Sequence, residues 1–147
     1  LSERRGNAII PPVSAIQLRD NRRCFACGPD NPIGLHLEFE WKGNRLCCRW
    51  IPLPDHQGYA GITHGGLIAT VLDEAMARVL WDRRVPVVTG SFEMRLRAQA
   101  HSGAPVFVEA WLEGGRGRVS RCRSIMTDAD GATVAEASGS YVHIPGG

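Results

Sequence analysis

Two periodicities divide the chain. Between Gly65 and Trp81 the apolar residues Leu67, Ile68, Val71, Leu72, Ala75, Met76, Val79 and Leu80 recur at helical spacing, which predicts one long helix with a wide apolar face. Arg83 and Arg84 suit the negative pole of that helix, and Pro86 forbids its continuation. Elsewhere the repeat is two. Leu35, Leu37, Phe39 and Trp41 alternate with His36, Glu38 and Glu40, predicting a half-buried strand. Lys42-Gly43-Asn44 supplies a turn, and residues 46–51 return as its hairpin partner until Pro52 and Pro54 stop them. Over residues 88–98 the odd positions Thr89, Ser91, Glu93, Arg95 and Arg97 form a polar face, so a long strand is predicted there. Residues 106–112, 119–127 and 134–144 read as three more strands, separated by Gly114-Gly115 and by the turn from Asp128 to Gly131.

The order is thus a hairpin, one long helix and four successive strands. The helix needs its apolar surface covered, and so does one face of the strands; wrapping the sheet around the helix satisfies both and gives an α+β architecture. Such an open sheet leaves edges that a second subunit would cover. Ala135, Ala137 and Gly139 on one face of the last strand imply that another element approaches closely there. Residues 1–23, with Pro11-Pro12 and little periodicity, read as an irregular N-terminal arm; residues 24–147 are taken as the folded domain.

Composition narrows the classes. An apolar fraction of 44% and a charged fraction of 22% fit an ordinary globular domain, and a net charge of +2 marks no polyanion binder. Lys42 is the one lysine among 17 basic residues, and the arginines are scattered in pairs rather than gathered into a stripe interleaved with aromatics, so nucleic acid is not an expected partner. Five cysteines are an odd number and Cys47-Cys48 are adjacent, which argues against a disulfide framework and favours the cytoplasm. No apolar run has the length needed to span a bilayer, so no membrane partner is expected.

Candidate chemistry gathers on the helix. Two glycines in a first turn cost about 1 kcal/mol each relative to alanine, so Gly65 and Gly66 require a reason. One is that they let a ligand reach unpaired amides at the positive helix pole, where a developing oxyanion is stabilised; the other is tight packing against a strand. Asp73 lies on nearly the same side as Gly66, about 10 Å along the axis, and a carboxylate on so apolar a helix could be a nucleophile or general base. Glu74 flanks the apolar arc almost symmetrically with Asp73, so the wheel does not choose between them. A solvated stripe with Glu74 paired to Arg78 is the bland reading.

The run His64-Gly-Gly-Leu-Ile-Ala-Thr-Val-Leu-Asp73-Glu-Ala-Met resembles the helix motif of the PaaI-like hotdog acyl-CoA thioesterases. The opening from Cys24 to Leu35 (Cys-Phe-Ala-Cys-Gly-Pro-Asp-Asn-Pro-Ile-Gly-Leu) and the loop from His56 to Gly66 resemble members of the same group, so the likeness runs from about Cys24 to His143. It implies a hotdog fold, with an antiparallel sheet wrapped around one central helix. It also implies hydrolysis of an acyl-CoA thioester to free CoA and a carboxylic acid. Asp73 then matches the catalytic carboxylate, and Gly65 matches the glycine whose amide polarises the carbonyl. Thr89 matches a position that helps hold the attacking water, expected from a partner subunit. His64 belongs either to the chemistry or to the capping of the helix entry. Gly66, Arg95 and Arg97 are carried as substrate contacts. Some relatives have an asparagine where this chain has Gly58, so His56 and Gln57 stand as substitutes for it.

The resemblance implies a homodimer, or a dimer of dimers, with coenzyme A only as part of the substrate and no cofactor. Its rivals are a non-catalytic acyl-CoA-binding protein and a hotdog dehydratase or hydratase. A metal is not expected: Cys24-x-x-Cys27 lacks a second cysteine pair, and His56, His64 and Asp73 form the weaker alternative trio. Neither a GxSxG elbow, a Walker loop nor a GxGxxG run is present.

Overall fold

A computed structural model describes residues 18–145. Most of the expected arm therefore lies outside the described residues, and residues 18–23 are exposed without regular structure. The elements are β1 (Glu40–Lys42), β2 (Arg45–Trp50), a 3-10 turn (Pro54–His56), α1 (Gly65–Trp81), β3 (Val87–Leu96), β4 (Val106–Arg116), β5 (Val119–Asp128) and β6 (Thr133–His143). All six strands form one antiparallel sheet in the order β1-β2-β4-β5-β6-β3. The helix lies across one face of it, as the two periodicities require.

Alternation explains the packing. Val106, Val108 and Ala110 of β4 are buried, whereas Phe107 and Glu109 between them are exposed. From the helix, Val71, Leu72, Ala75, Met76 and Val79 are fully enclosed. Small residues line the sheet where the helix passes, and Ser124 of β5 donates to the Leu72 carbonyl across the interface (3.3 Å). The hydrophobic term, at about 25 cal/mol per Å² of apolar surface, dominates this contact.

The structure departs from the periodic reading at three places. Residues 35–39 form no strand, although Leu35 and Leu37 are buried as the alternation demands. Their amides instead donate to the carbonyls of Phe25 and Ala26 (2.8 and 2.9 Å), so this segment pairs with the turn before it. Gly114-Gly115 do not break the chain: they continue β4 past an irregularity between Leu112 and Gly114, and the reversal falls at Gly117-Arg118, with Gly117 at φ +60°.

The third departure positions the site. β3 has a bulge between Thr89 and Ser91, at Gly90. Beyond it, Phe92 and Met94 pair with Gly139 and Ala137; before it, Thr89 pairs with Tyr141. One extra residue shifts the parity, so Thr89 shares the helix-facing side with Phe92 and Met94 instead of the outer side with Ser91 and Glu93. The polar face predicted for this strand therefore loses Thr89, and that residue turns inward.

Candidate active site

Asp73 leaves the helix half-buried and meets two hydroxyls from the sheet. Thr89 Oγ1 donates to both carboxylate oxygens (3.0 and 3.3 Å), and Tyr141 Oη donates to Oδ1 (2.8 Å) and lies 3.3 Å from the Asp73 carbonyl. Because Thr89 and Tyr141 are register partners on neighbouring strands, β-pairing itself delivers both to one carboxylate. Burial first, and the Asp73 carboxylate next, push the Tyr141 phenol well above its ordinary value, so it remains a donor. At Gly139 the close approach comes from Tyr141 of the same strand, not from another element. A Cβ on Gly139 would fall 2.8–2.9 Å from the Tyr141 ring and hydroxyl, so only glycine lets that ring lie over β6.

Thr89 thus meets Asp73 of its own chain, which corrects the expectation that it arrives from a partner subunit. Glu74, indistinguishable from Asp73 on the helical wheel, turns the other way, to Cys24 (Sγ to Oε1, 3.8 Å). Nor does it pair with Arg78, whose Nε bonds Asp82 at 2.8 Å.

The helix entry is a different environment. His64 is the N-cap: its backbone is extended (φ −60°, ψ 129°), and its Nδ1 accepts from the Gly66 amide at 2.9 Å. That bond leaves the ring proton on Nε2 in the neutral form. A Cβ on Gly66 would lie 3.0 Å from His64 Nδ1, so Gly66 makes room for the capping ring. At Gly65 the nearest obstacle is the flexible Leu96 Cδ1 at 3.2 Å, and its amide donates to no acceptor among the described residues. The two readings of the glycine pair are thus divided: packing accounts for Gly66, and an open donor remains at Gly65.

A groove of about 670 Å³ opens at this tip, lined among others by Gly58, Tyr59, His64, Gly65, Leu96 and Arg97. Thr63, also on its wall, buries a hydroxyl with no partner among the described residues. Of the arginines expected at substrate, Arg97 lines the groove and is held to Glu136 through its Nε (3.1 Å). Arg95 is exposed beside Glu93 (3.7 Å) and is not part of that wall. His56 and Gln57 serve the loop. His56 Nδ1 accepts from the Leu53 amide (3.0 Å), its ring lies 5.6 Å from that of Trp50, and Gln57 Oε1 accepts from the Gly61 amide (3.1 Å). The groove does not include Asp73. Among the described residues, one chain therefore brings Asp73, Thr89 and Tyr141 together, and separately His64, Gly65, Gly66 and Arg97.

Tyr141 was not foreseen from the sequence. In a strand of alternating small and apolar residues it reads as core, and the neighbouring Gly139 was the one available hint. All five cysteines are free thiols. Burial pushes Cys48 and Cys122 up to about 11, whereas burial followed by the Glu74 carboxylate raises Cys27. No described helix is long and apolar enough to cross a membrane.

Residues 60–135 match the family model described as Thioesterase superfamily. A search of curated proteins finds no match. Among solved structures, a thioesterase superfamily protein superposes with a TM-score of 0.77 at 20% identity, covering 82% of this chain; the chain spans 63% of that protein's length. A hypothetical thioesterase from Streptococcus pneumoniae TIGR4, solved with coenzyme A, gives 0.69 at 15% identity over 73% of this chain and 87% of its own. That protein was also solved in two variant forms, one with a threonine and one with an aspartate replaced by alanine. The Escherichia coli PaaI protein, from the phenylacetic acid degradation operon, gives 0.69 at 13% identity over 74% and 83%. With the family model matching more than half of its length and the hotdog architecture found throughout its described residues, the chain belongs to the Thioesterase superfamily.

Proposed function

We propose that the protein hydrolyses an acyl-CoA thioester to coenzyme A and a carboxylic acid. The observation that carries this reading is Asp73, an acid on an apolar helix, held in one orientation by two hydroxyls. The thioester carbonyl accepts from the free Gly65 amide at the positive helix pole. Asp73 then acts as general base, taking a proton from a water that attacks the carbonyl carbon, or as nucleophile, attacking that carbon, expelling the CoA thiolate and forming a mixed anhydride that water then hydrolyses. In the first case the tetrahedral oxyanion rests on the Gly65 amide until it collapses, breaking the C–S bond and releasing the CoA thiolate, which is protonated. Thr89 and Tyr141 hold the carboxylate, and Thr89 is the nearer hydroxyl to an incoming water because it is exposed.

Spacing supports a site shared between chains. Gly65 and Asp73 are eight residues apart, about 12 Å along the axis, whereas one carbonyl requires both within about 3 Å of its reacting atoms. A chain therefore cannot apply its own Gly65 and its own Asp73 to the same thioester. The reading takes Gly65 from one copy and Asp73 from another, in a homodimer or a dimer of dimers. β3, which carries Thr89, forms one edge of the sheet and presents its open side for such pairing. Arg97 on the groove wall is suited to the coenzyme's phosphates.

The test is thiol release from short, long and aromatic acyl-CoAs by the wild type, Asp73→Asn and His64→Ala. Hydrolysis lost in the first variant and largely kept in the second supports the reading. Absence of hydrolysis across the wild-type series, or full activity in Asp73→Asn, sinks it. A dehydratase or hydratase would instead depend on the histidine as base.

A further inference from the structure

On the side of α1 turned away from the Asp73 hydroxyls, three potential metal ligands converge: Cys24 Sγ, Cys27 Sγ and a Glu74 carboxylate oxygen all lie within 4.8 Å of one another. We infer that Cys24, Cys27 and Glu74 bind a zinc ion that fastens the Cys24–Cys27 turn to the active-site helix. This inference is independent of the proposed hydrolysis.

Geometry favours it. A tetrahedral zinc with bonds of roughly 2.0–2.3 Å separates its ligand atoms by about 3.5–3.8 Å, so the three groups need to close by only about 1 Å. The turn is built for that approach: the Gly28 amide donates to the Cys24 carbonyl (2.8 Å), bringing the two thiols of the C-x-x-C pair to the same side. Asp20 and Arg78 line the same small cavity of about 200 Å³, so a carboxylate or water is at hand for a fourth position. The sequence offered the cysteine pair alone; the fold adds a carboxylate from residues fifty positions away.

Charge also needs this account. Glu74 is half-buried and makes no ion pair among the described residues, and the groups beside its carboxylate are the weak Cys24 and Cys27 thiols. Arg78, the cation closest at hand, is engaged by Asp82 and reaches only Cys27 Sγ, at 3.9 Å. A divalent cation would offset two of the three negative charges that two thiolates and Glu74 bring together, with Arg78 as an outer N–H donor to sulfur. Soft thiolate ligands select zinc over magnesium or calcium.

The experiment uses the full, tag-free chain, reduced and stripped with a chelator, then titrated with cobalt(II) and with zinc against a chromophoric competitor. One cobalt per chain is expected, with a thiolate-to-cobalt band in the near ultraviolet that zinc displaces, and zinc should raise the melting temperature. Cys24→Ser should weaken binding by about 100-fold or more, and Glu74→Gln by about 10–100-fold. Should Cys24→Ser fail to fold, Glu74→Gln carries the comparison. No cobalt uptake by folded wild type with titratable thiols overturns the inference, as does a band that survives both substitutions. A Cys24–Cys27 disulfide that re-forms in the presence of zinc overturns it too.

Discussion

The two candidate half-sites on α1, one at its middle and one at its tip, differ in how far a single chain completes them. Near its middle, Asp73 meets hydroxyls from β3 and β6 that are already bonded to it, so the acid is ordered before any substrate arrives. At its tip, the Gly65 amide and the buried Thr63 hydroxyl have no acceptor among the described residues, and a groove stands open beside them. One end is satisfied and the other waits. A carboxylate can be oriented in advance because hydroxyls tether it without neutralising it, whereas an oxyanion donor works only if no protein group occupies it beforehand. Under the proposed hydrolysis the two are complementary halves of one reaction, separated by the length of helix between them.

Removing the acid should have the largest effect. Asp73→Asn keeps the shape and the Tyr141 and Thr89 contacts, and is expected to lower kcat by about 10²–10⁴-fold, the range of general-base catalysis. An unchanged circular dichroism spectrum and melting temperature would separate this from unfolding.

The opposite end can be broken without disturbing the fold. Gly65 is the first residue of the helix, where a missing amide costs nothing structurally and proline is favoured. His64 already has the extended backbone that a following proline demands. Gly65→Pro should therefore remove the donor while leaving stability equal or higher by about 0.4–1 kcal/mol, with Leu96 shifting by a few tenths of an ångström. Loss of about 10²–10³-fold in kcat is expected. Full activity would mean that the carbonyl is held elsewhere.

These ends were not equally legible in the sequence. Helix α1 followed from apolar spacing and its stop signals, to the residue, because nothing local competes with it. The glycine pair was visible as an anomaly, but its division between a capping role at Gly66 and an open amide at Gly65 depends on where the His64 ring lies. On the acid side, the helical wheel left Asp73 and Glu74 equivalent, and only the sheet and the Cys24–Cys27 turn tell them apart. Parity placed Thr89 on the outer face, and the bulge at Gly90 reversed it. Strand periodicity carries no mark of an extra residue, so Thr89, just before the bulge, is misassigned. Tyr141 was hidden for a related reason: alternation says that it is inside, not what its hydroxyl meets.

The ordering of the acid can be loosened without removing it. Tyr141→Phe keeps the ring over Gly139 and deletes one donor to Asp73, and is expected to cost about tenfold in kcat, or roughly 1.4 kcal/mol. KM should be little changed, since Tyr141 is buried and touches the carboxylate rather than substrate. Thr89→Ala should act similarly, and Thr89→Ser, which keeps the hydroxyl, should restore activity. Equal falls in kcat for Thr89→Ser and Thr89→Ala would show that the methyl group, not the hydroxyl, matters.

The separation of the two ends yields a last outcome that depends on assembly rather than on any one contact. If each site takes Gly65 from one copy and Asp73 from another, neither the Asp73→Asn nor the Gly65→Pro homodimer has a working site. In an exchanged equimolar mixture, half of the dimers are mixed. Each of these has one site with both defects and one with none. Total activity should then rise from near zero to about a quarter of the wild-type value. Sites formed within single chains would stay dead at every mixing ratio, because no chain in the mixture has both groups intact. Activity measured against mixing ratio, with exchange confirmed by mass spectrometry, decides whether the two ends of α1 meet across an interface.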